Sequence, residues 1–326
     1  MPPPPADAPA RYLAFRQALG RPPRRERRTV RVRGLDFAVW TTPPVDGAPP
    51  LVCVNGGLLY DHRSLWPALQ PLAAERQLVF YDQRGRGATP APPGVRAARI
   101  THDAGDLAAL APALAAQLGH PHVDLLGHSW GGGIAMLAAA ADAAAATPVV
   151  QRLVLIDPVG VTGDWLPALH DRALARLAAR GHDAAHAVLR AHPPDALADP
   201  TPDPARHAAY ARTFFPAWFA DPALAPLFPP PADASVTGAT IAARLRREGY
   251  DWRPELRGLR ARWFVVHGDD DVLPVAVARD TAAHLQSVAV GELYIVRDSG
   301  HMPFWERPQD CFAQVKSFLN RPMLRM

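Results

Sequence analysis

Cysteine and lysine are almost missing from this chain: two cysteines, Cys53 and Cys311, and one lysine, Lys316, in 326 residues. Two thiols are too few for a disulfide framework, and the apolar setting of Cys53 in LVCVNGG predicts a buried strand thiol in a reducing compartment. Long apolar runs are also missing. The best membrane candidate, GGIAMLAAAADAAAATPVV, is mostly alanine and is interrupted by Asp142, so it reads as a buried helix followed by a turn. The N-terminal stretch MPPPPADAPARYL has no apolar segment of the length a secretory signal needs, and a cytoplasmic location is expected. No repeat of fixed period appears, which excludes solenoids and propellers.

Nor is charge of one sign in excess. The 35 basic and 31 acidic residues, net +4, are too even to imply a nucleic-acid or membrane partner. The densest basic stretch, RPPRRERRTVRVR at 21–33, falls partly on the solvent face of a predicted hairpin and has no recognition module beside it. It reads as a charged edge that discourages sheet aggregation. What remains, with 48% hydrophobic residues and 20% charged, is a soluble globular protein of the size of one large α/β unit with an insertion.

The pattern along the chain agrees. RTVRVRGLDFAVWTT at 28–42 alternates valine with arginine, turns at Gly34 and resumes, as an antiparallel hairpin does. Short apolar runs at 50–57, 76–83, 122–129, 152–158, 262–269 and 292–299 suit strands buried on both faces. Helical patterns at 64–75, 102–119, 130–146, 275–285 and 308–320 lie between them, which predicts a mostly parallel sheet covered by helices. From 161 to 250 strand signals vanish and helical stretches alternate with proline-rich pieces such as PPDALADPTPDP and FPPPADAS. The expected organisation is a core of 1–160 and 251–326, with 161–250 inserted as a helical lid over the carboxyl ends of the strands.

GHSWGG at 127–132 carries the chemistry. The G-x-S-x-G spacing closes an apolar strand and opens a helix, the setting in which a sharp turn raises a serine above the sheet. Gly127 and Gly131 would relieve crowding at that turn. A serine hydroxyl needs a base, and the base a carboxylate. VRDSGHMPFWERP places His301 after the last predicted strand, and WFVVHGDDD places Asp269, Asp270 and Asp271 after the strand before it. The chain order is therefore serine, acid, histidine. Residue reasoning leaves the choice among the three aspartates open.

Through VNGG, YDQRGRG, GHSWGG, VVHGDDD and SGHMPFWERP the chain resembles the α/β-hydrolase superfamily, and within it is similar to the proline iminopeptidase branch. The resemblance covers both core segments and not the lid. It implies an α/β-hydrolase fold, places the acid three residues after Gly268 at Asp271, and leaves Asp157 in LVLIDP as a rarer alternative. It implies backbone N–H donors for an oxyanion at Gly57 and Trp130. The family's HGGPG loop stands here as NGGLL, without its histidine and Pro-Gly pair, and the lid has Trp218 but no glutamate near it to hold a substrate amine. YDQRGRG is expected to shape the loop beneath the site.

The expected activity is therefore hydrolysis of an ester or amide of a small, largely apolar substrate through an acyl-enzyme, with no cofactor. Iminopeptidase-type cleavage of a short peptide, C–C bond hydrolysis or lysis, and non-catalytic binding are the alternatives. Serine at the elbow disfavours the dehalogenase and epoxide-hydrolase branches, which need aspartate there. Leu58, Phe214, Phe215, Trp218 and Phe219 are expected to line the substrate pocket, with Tyr210 and Phe228 in the same aromatic cluster of the lid. His182 and His186 have the spacing of two metal ligands but lack a third, so no metal is expected. Glu248 is expected to pair on the surface with the arginines at 244, 246 and 247.

Overall fold

The computed structural model describes residues 7–228 and 235–322; most of the FPPPADAS loop lies outside them. Eight strands form one sheet: β1 (Glu26–Val32), β2 (Leu35–Thr41), β3 (Leu51–Val54), β4 (Leu78–Tyr81), β5 (Val123–His128), β6 (Val150–Ile156), β7 (Arg262–Gly268) and β8 (Gly291–Val296). Their spatial order is β1-β2-β4-β3-β5-β6-β7-β8. The β1–β2 and β2–β4 pairs are antiparallel, and from β4 to β8 every pair is parallel.

Side-chain alternation divides the core into two halves. Val52, Val54, Val79, Tyr81, Leu125, Leu153, Leu155 and Val265 point to one face. Leu51, Cys53, Leu78, Phe80, Leu126, Val154, Ile156, Phe264 and Val266 point to the other. Both faces are covered, so β3, β4 and β5 are buried throughout and read as continuous apolar runs. Helices Ile100–Gln117 and Trp130–Asp142 lie over the first face; Pro308–Leu319 lies over the second.

Two local expectations change. The run at 64–75 is not one helix but two short 3₁₀ turns, His62–Ser64 and Gln70–Leu72. Pro67 and Pro71 explain the break, because each lacks an N–H and disfavours helical backbone in the residue before it. A helix unforeseen in the sequence, Ala8–Ala18, is capped by Asp7, whose side chain accepts the Ala10 N–H at 2.8 Å, and docks through Tyr12 stacked on Trp305.

Between β6 and β7 the described chain is helical: Leu169–Ala179, Asp183–Arg190, Pro204–Trp218 and Val236–Glu248, with 3₁₀ turns at Pro194–Ala198 and Pro222–Leu227. An isolated bridge between Thr162 and Asp251 closes its base. Among the described residues no helix is long and apolar enough to cross a membrane. The arginines of 21–33 are dispersed. Arg31 pairs with Asp36 and Arg33 with Asp106, while Arg25 and Arg27 stack over Trp66 and Trp40.

At the amino edge of the sheet, the buried Asp124 on β5 receives Arg76 at 2.6 Å and Arg152 at 3.4 Å. Arg76 also donates to the Leu319 carbonyl and Arg152 to the Arg321 carbonyl, which ties the C-terminal helix to three strand ends. Two guanidiniums with one carboxylate in a dry setting are costly to break. Asp124→Ala is expected to destabilise the fold by about 3–5 kcal/mol, measured by denaturant unfolding with unchanged m-value.

Candidate active site

The strand order reverses between β3 and β5, since β3 leads outward to β4 while β5 leads the other way to β6. Loops leaving the carboxyl ends of two such strands diverge and open a crevice. Val54, Gly127 and Leu155 lie side by side in register, so the loops after β3, β5 and β6 start at one level.

Ser129 stands at that crevice, at the start of helix Trp130–Asp142, with φ 55° and ψ −123°. A non-glycine residue held there stores strain of order 1–3 kcal/mol. Its N–H donates to the Ile156 carbonyl at 3.0 Å, and its own carbonyl accepts Gly132 N–H at 2.9 Å. The turn closes only because three glycines lack side chains. A Cβ on Gly131 would strike the Val54 carbonyl, one on Gly127 would lie 2.6 Å from Gly132 Cα, and one on Gly56 would lie 2.6 Å from Ser129 Cβ.

His301 lies in the loop after β8, and its Nδ1 donates to Asp271 Oδ2 at 2.7 Å. That bond leaves Nε2 of the neutral ring as an acceptor. Both side chains are buried. Burial alone would raise the Asp271 pKa, but His301, His267 and the Leu273 N–H together hold it below the usual carboxylate value. Of the other two aspartates, Asp269 is exposed and Asp270 pairs with Arg176 at 3.2 Å and with Arg180. Asp157, the rarer candidate, does not hold the histidine. It follows β6, accepts the Gly268 N–H at 2.8 Å, and lies beside Asp271. Burial, and then the negative Asp271, raise its pKa far above the carboxylate range, so it stands there as a neutral acid. His128 donates from Nε2 to the His301 carbonyl at 2.9 Å; burial holds it down to about 3, and it is neutral.

The NGGLL loop is clamped from below. Asn55 Nδ2 donates to the Tyr60 carbonyl at 3.0 Å, Gln83 Nε2 to the Asn55 carbonyl at 2.8 Å, and Arg86 Nε to the Leu58 carbonyl at 2.8 Å. Arg86 is itself held by the buried Asp103, and Arg84 by Asp106. YDQRGRG thus does shape this loop, through Gln83 and Arg86. Gly57 has φ +69°, and a Cβ there would collide with the Tyr60 ring. Trp130 is the first residue of its helix, so its N–H has no partner within the helix.

These groups border a cavity of about 160 Å³ roofed by the helical segment. Gly57, Leu58, Ser129, Trp130, Phe214, Phe215, Trp218 and His301 all line it. Phe219 does not. The helix ends at Trp218, and the extended backbone of Phe219 turns its ring into the core against Phe215 and Phe228. Tyr210 and Phe228 of the helical segment's aromatic cluster line the cavity too, while sequence reasoning missed Tyr60, Trp165, His207 and Arg246, which also border it. Glu248 pairs with Arg99, Arg244 and Arg247, but Arg246 turns inward to the cavity instead. No carboxylate lines the cavity among the described residues. Asp221, the acid nearest Trp218 in sequence, caps the Pro222–Leu227 turn. His182 occupies the N-cap position of helix Asp183–Arg190 without a side-chain cap bond and forms no potential metal cluster with His186 among the described residues.

A family model for the alpha/beta hydrolase family matches residues 51–314, and the chain belongs to that family. No curated protein matches it by sequence. Among solved structures it is similar to a membrane phospholipase A described as a bacterial virulence factor (22% identity, 96% of this chain and 91% of that one, TM-score 0.64). It is also similar to a thermophilic esterase from Thermogutta terrifontis (20%, 91% and 98%, 0.63) and a proline iminopeptidase from Mycobacterium smegmatis (18%, 90% and 97%, 0.64). At these identities the likeness is one of fold.

The glycine requirement is directly testable. In an ordinary helix interior Gly→Ala gains about 1 kcal/mol. Gly131→Ala is expected instead to lose about 3 kcal/mol or more, because the added methyl meets the carbonyls of Val54, at the end of β3, and of Asn55 just after it. Denaturant unfolding reads the sign.

Proposed function

We propose that the protein is a serine hydrolase that cleaves an ester of a small, largely apolar acyl group through an acyl-enzyme. In this reading His301 takes the Ser129 proton through Nε2, and Ser129 attacks the carbonyl. Asp271 holds the imidazole and steadies its positive charge, and the Gly57 and Trp130 amides receive the oxyanion. Water then releases the acyl group with His301 again as base. The helical segment 161–250 serves as the lid, and no cofactor takes part in the scheme.

The observation that carries this reading is the 2.7 Å bond from His301 Nδ1 to Asp271, on a histidine that borders the same cavity as the elbow serine. An ester is favoured over an N-terminal amine substrate because the cavity wall offers a protonated amine no carboxylate among the described residues. The arginine in that wall would repel it.

A fluorophosphonate probe is expected to label Ser129, with labelling lost in His301→Ala; peptide mass spectrometry reads the site, and an unlabelled folded protein overturns the mechanism. Asp271→Asn is expected to lower kcat about 10⁴-fold by presenting the wrong imidazole tautomer. Asp269→Asn, at an exposed position, is expected to have little effect; equal losses in kcat would overturn the assignment of the acid.

A further inference from the structure

Helix Pro204–Trp218 presents His207, Tyr210, Ala211, Phe214 and Trp218 to the cavity, one stripe of the helix. Trp218 packs on His301 with ring centroids 4.2 Å apart, Phe214 on Trp218 at 5.0 Å, and Tyr210 on Phe214 at 5.6 Å. This aromatic row leads away from the histidine. Eight residues of helix place Tyr210 about 12 Å beyond Trp218 along the axis.

At that far end the chemistry changes. Arg246, from helix Val236–Glu248, lies against the Tyr210 hydroxyl, and His170 Nδ1 is 2.9 Å from the same oxygen. Burial pushes the Tyr210 phenol up to about 12, so it is neutral. Arg244 and Arg247 pair with Glu248, whereas no acid among the described residues pairs with Arg246. Asp171 and Asp195, whose fields reach His170, are exposed. A guanidinium facing a largely apolar cavity with only neutral partners is costly unless an anion joins it, and its planar fork matches a carboxylate.

We infer that the acyl group taken by this cavity ends in a carboxylate, held by Arg246 beside Tyr210, while its ester carbonyl sits at Ser129. The substrate class is the half-ester of a dicarboxylic acid with an apolar middle. The direction of binding rests on the proposed role of Ser129; the anion site does not. In the reaction Ser129 Oγ bonds to the carbonyl carbon, the ester C–O bond breaks, and the alcohol leaves with the proton that His301 carries. Water then adds and releases the dicarboxylic acid.

The test compares 4-nitrophenyl hydrogen suberate with 4-nitrophenyl octanoate, which has the same chain length but no second carboxylate. The wild-type enzyme is expected to favour the half-ester in kcat/KM. Arg246→Met is expected to lower that preference about 30-fold or more, mainly through KM, and Arg246→Lys to restore part of it. A wild-type preference for the octanoate ester overturns the inference without any variant, as does an Arg246→Met preference within about threefold of wild type. Where neither ester turns over, calorimetry of Ser129→Ala with monomethyl suberate separates the two ideas. Binding that Arg246→Met abolishes supports the anion site and leaves the hydrolase reading to fail alone, and absence of binding overturns the anion site itself.

Discussion

The site depends on how closely three backbone segments approach one another at the end of β5. Gly56, Gly127 and Gly131 let the loop after β3, the strand end and the first helical turn meet with no side chain between them. That contact sets the strained backbone of Ser129 and points the N-terminus of helix Trp130–Asp142 at the crevice. Strain of this kind persists only where the surroundings hold it, and here the hydrogen bonds to Ile156 and from Gly132 do so. The buried ion pairs of Arg84 and Arg86 sit directly behind, so the NGGLL loop has little freedom to relax away.

The helical segment and the histidine loop form one unit. His301 N–H donates to the Trp218 carbonyl at 2.7 Å. Glu306 accepts the Gly300 N–H at 2.8 Å and the Ala220 N–H at 2.7 Å, a single buried carboxyl that stitches the two segments together. Asp270 reaches across to Arg176 and Arg180 of the same helical segment. Its neighbour Asp271 turns back to His301, so adjacent aspartates serve opposite sides of one loop. Any movement of the helical segment large enough to free Trp218 would therefore disturb the position of His301.

Charge is distributed with a consistent polarity. Asp271 is the ionised acid by the histidine, while the neighbouring Asp157 is neutral because two adjacent buried carboxylates do not both ionise. The cavity beyond has largely apolar walls and reaches Arg246, so on the proposed reading a ligand is sorted by its far end as well as by the end at Ser129. The amine-binding glutamate implied by resemblance to the iminopeptidase branch has no counterpart lining the cavity among the described residues, and Arg246 stands in its wall.

Sequence by itself determined the strands, their mostly parallel arrangement, and the positions of Ser129 and His301, because each is signalled by local physics: apolar runs, glycine spacing, and a loop at a strand end. Local physics left Asp269, Asp270 and Asp271 equivalent and only the family resemblance pointed to Asp271, since which carboxylate faces a histidine 30 residues away is a matter of loop direction. Helix Ala8–Ala18 was illegible because it is held by Tyr12 on Trp305 and Phe15 on Phe312, contacts with the far end of the chain. Arg246 was indistinguishable from its neighbours in LRRE, because successive helix positions point about 100° apart and only tertiary packing determines which of them faces inward. The Ser129 end of the cavity was thus legible in the sequence, while its Arg246 end was decided by how two helices of the inserted segment pack over the sheet.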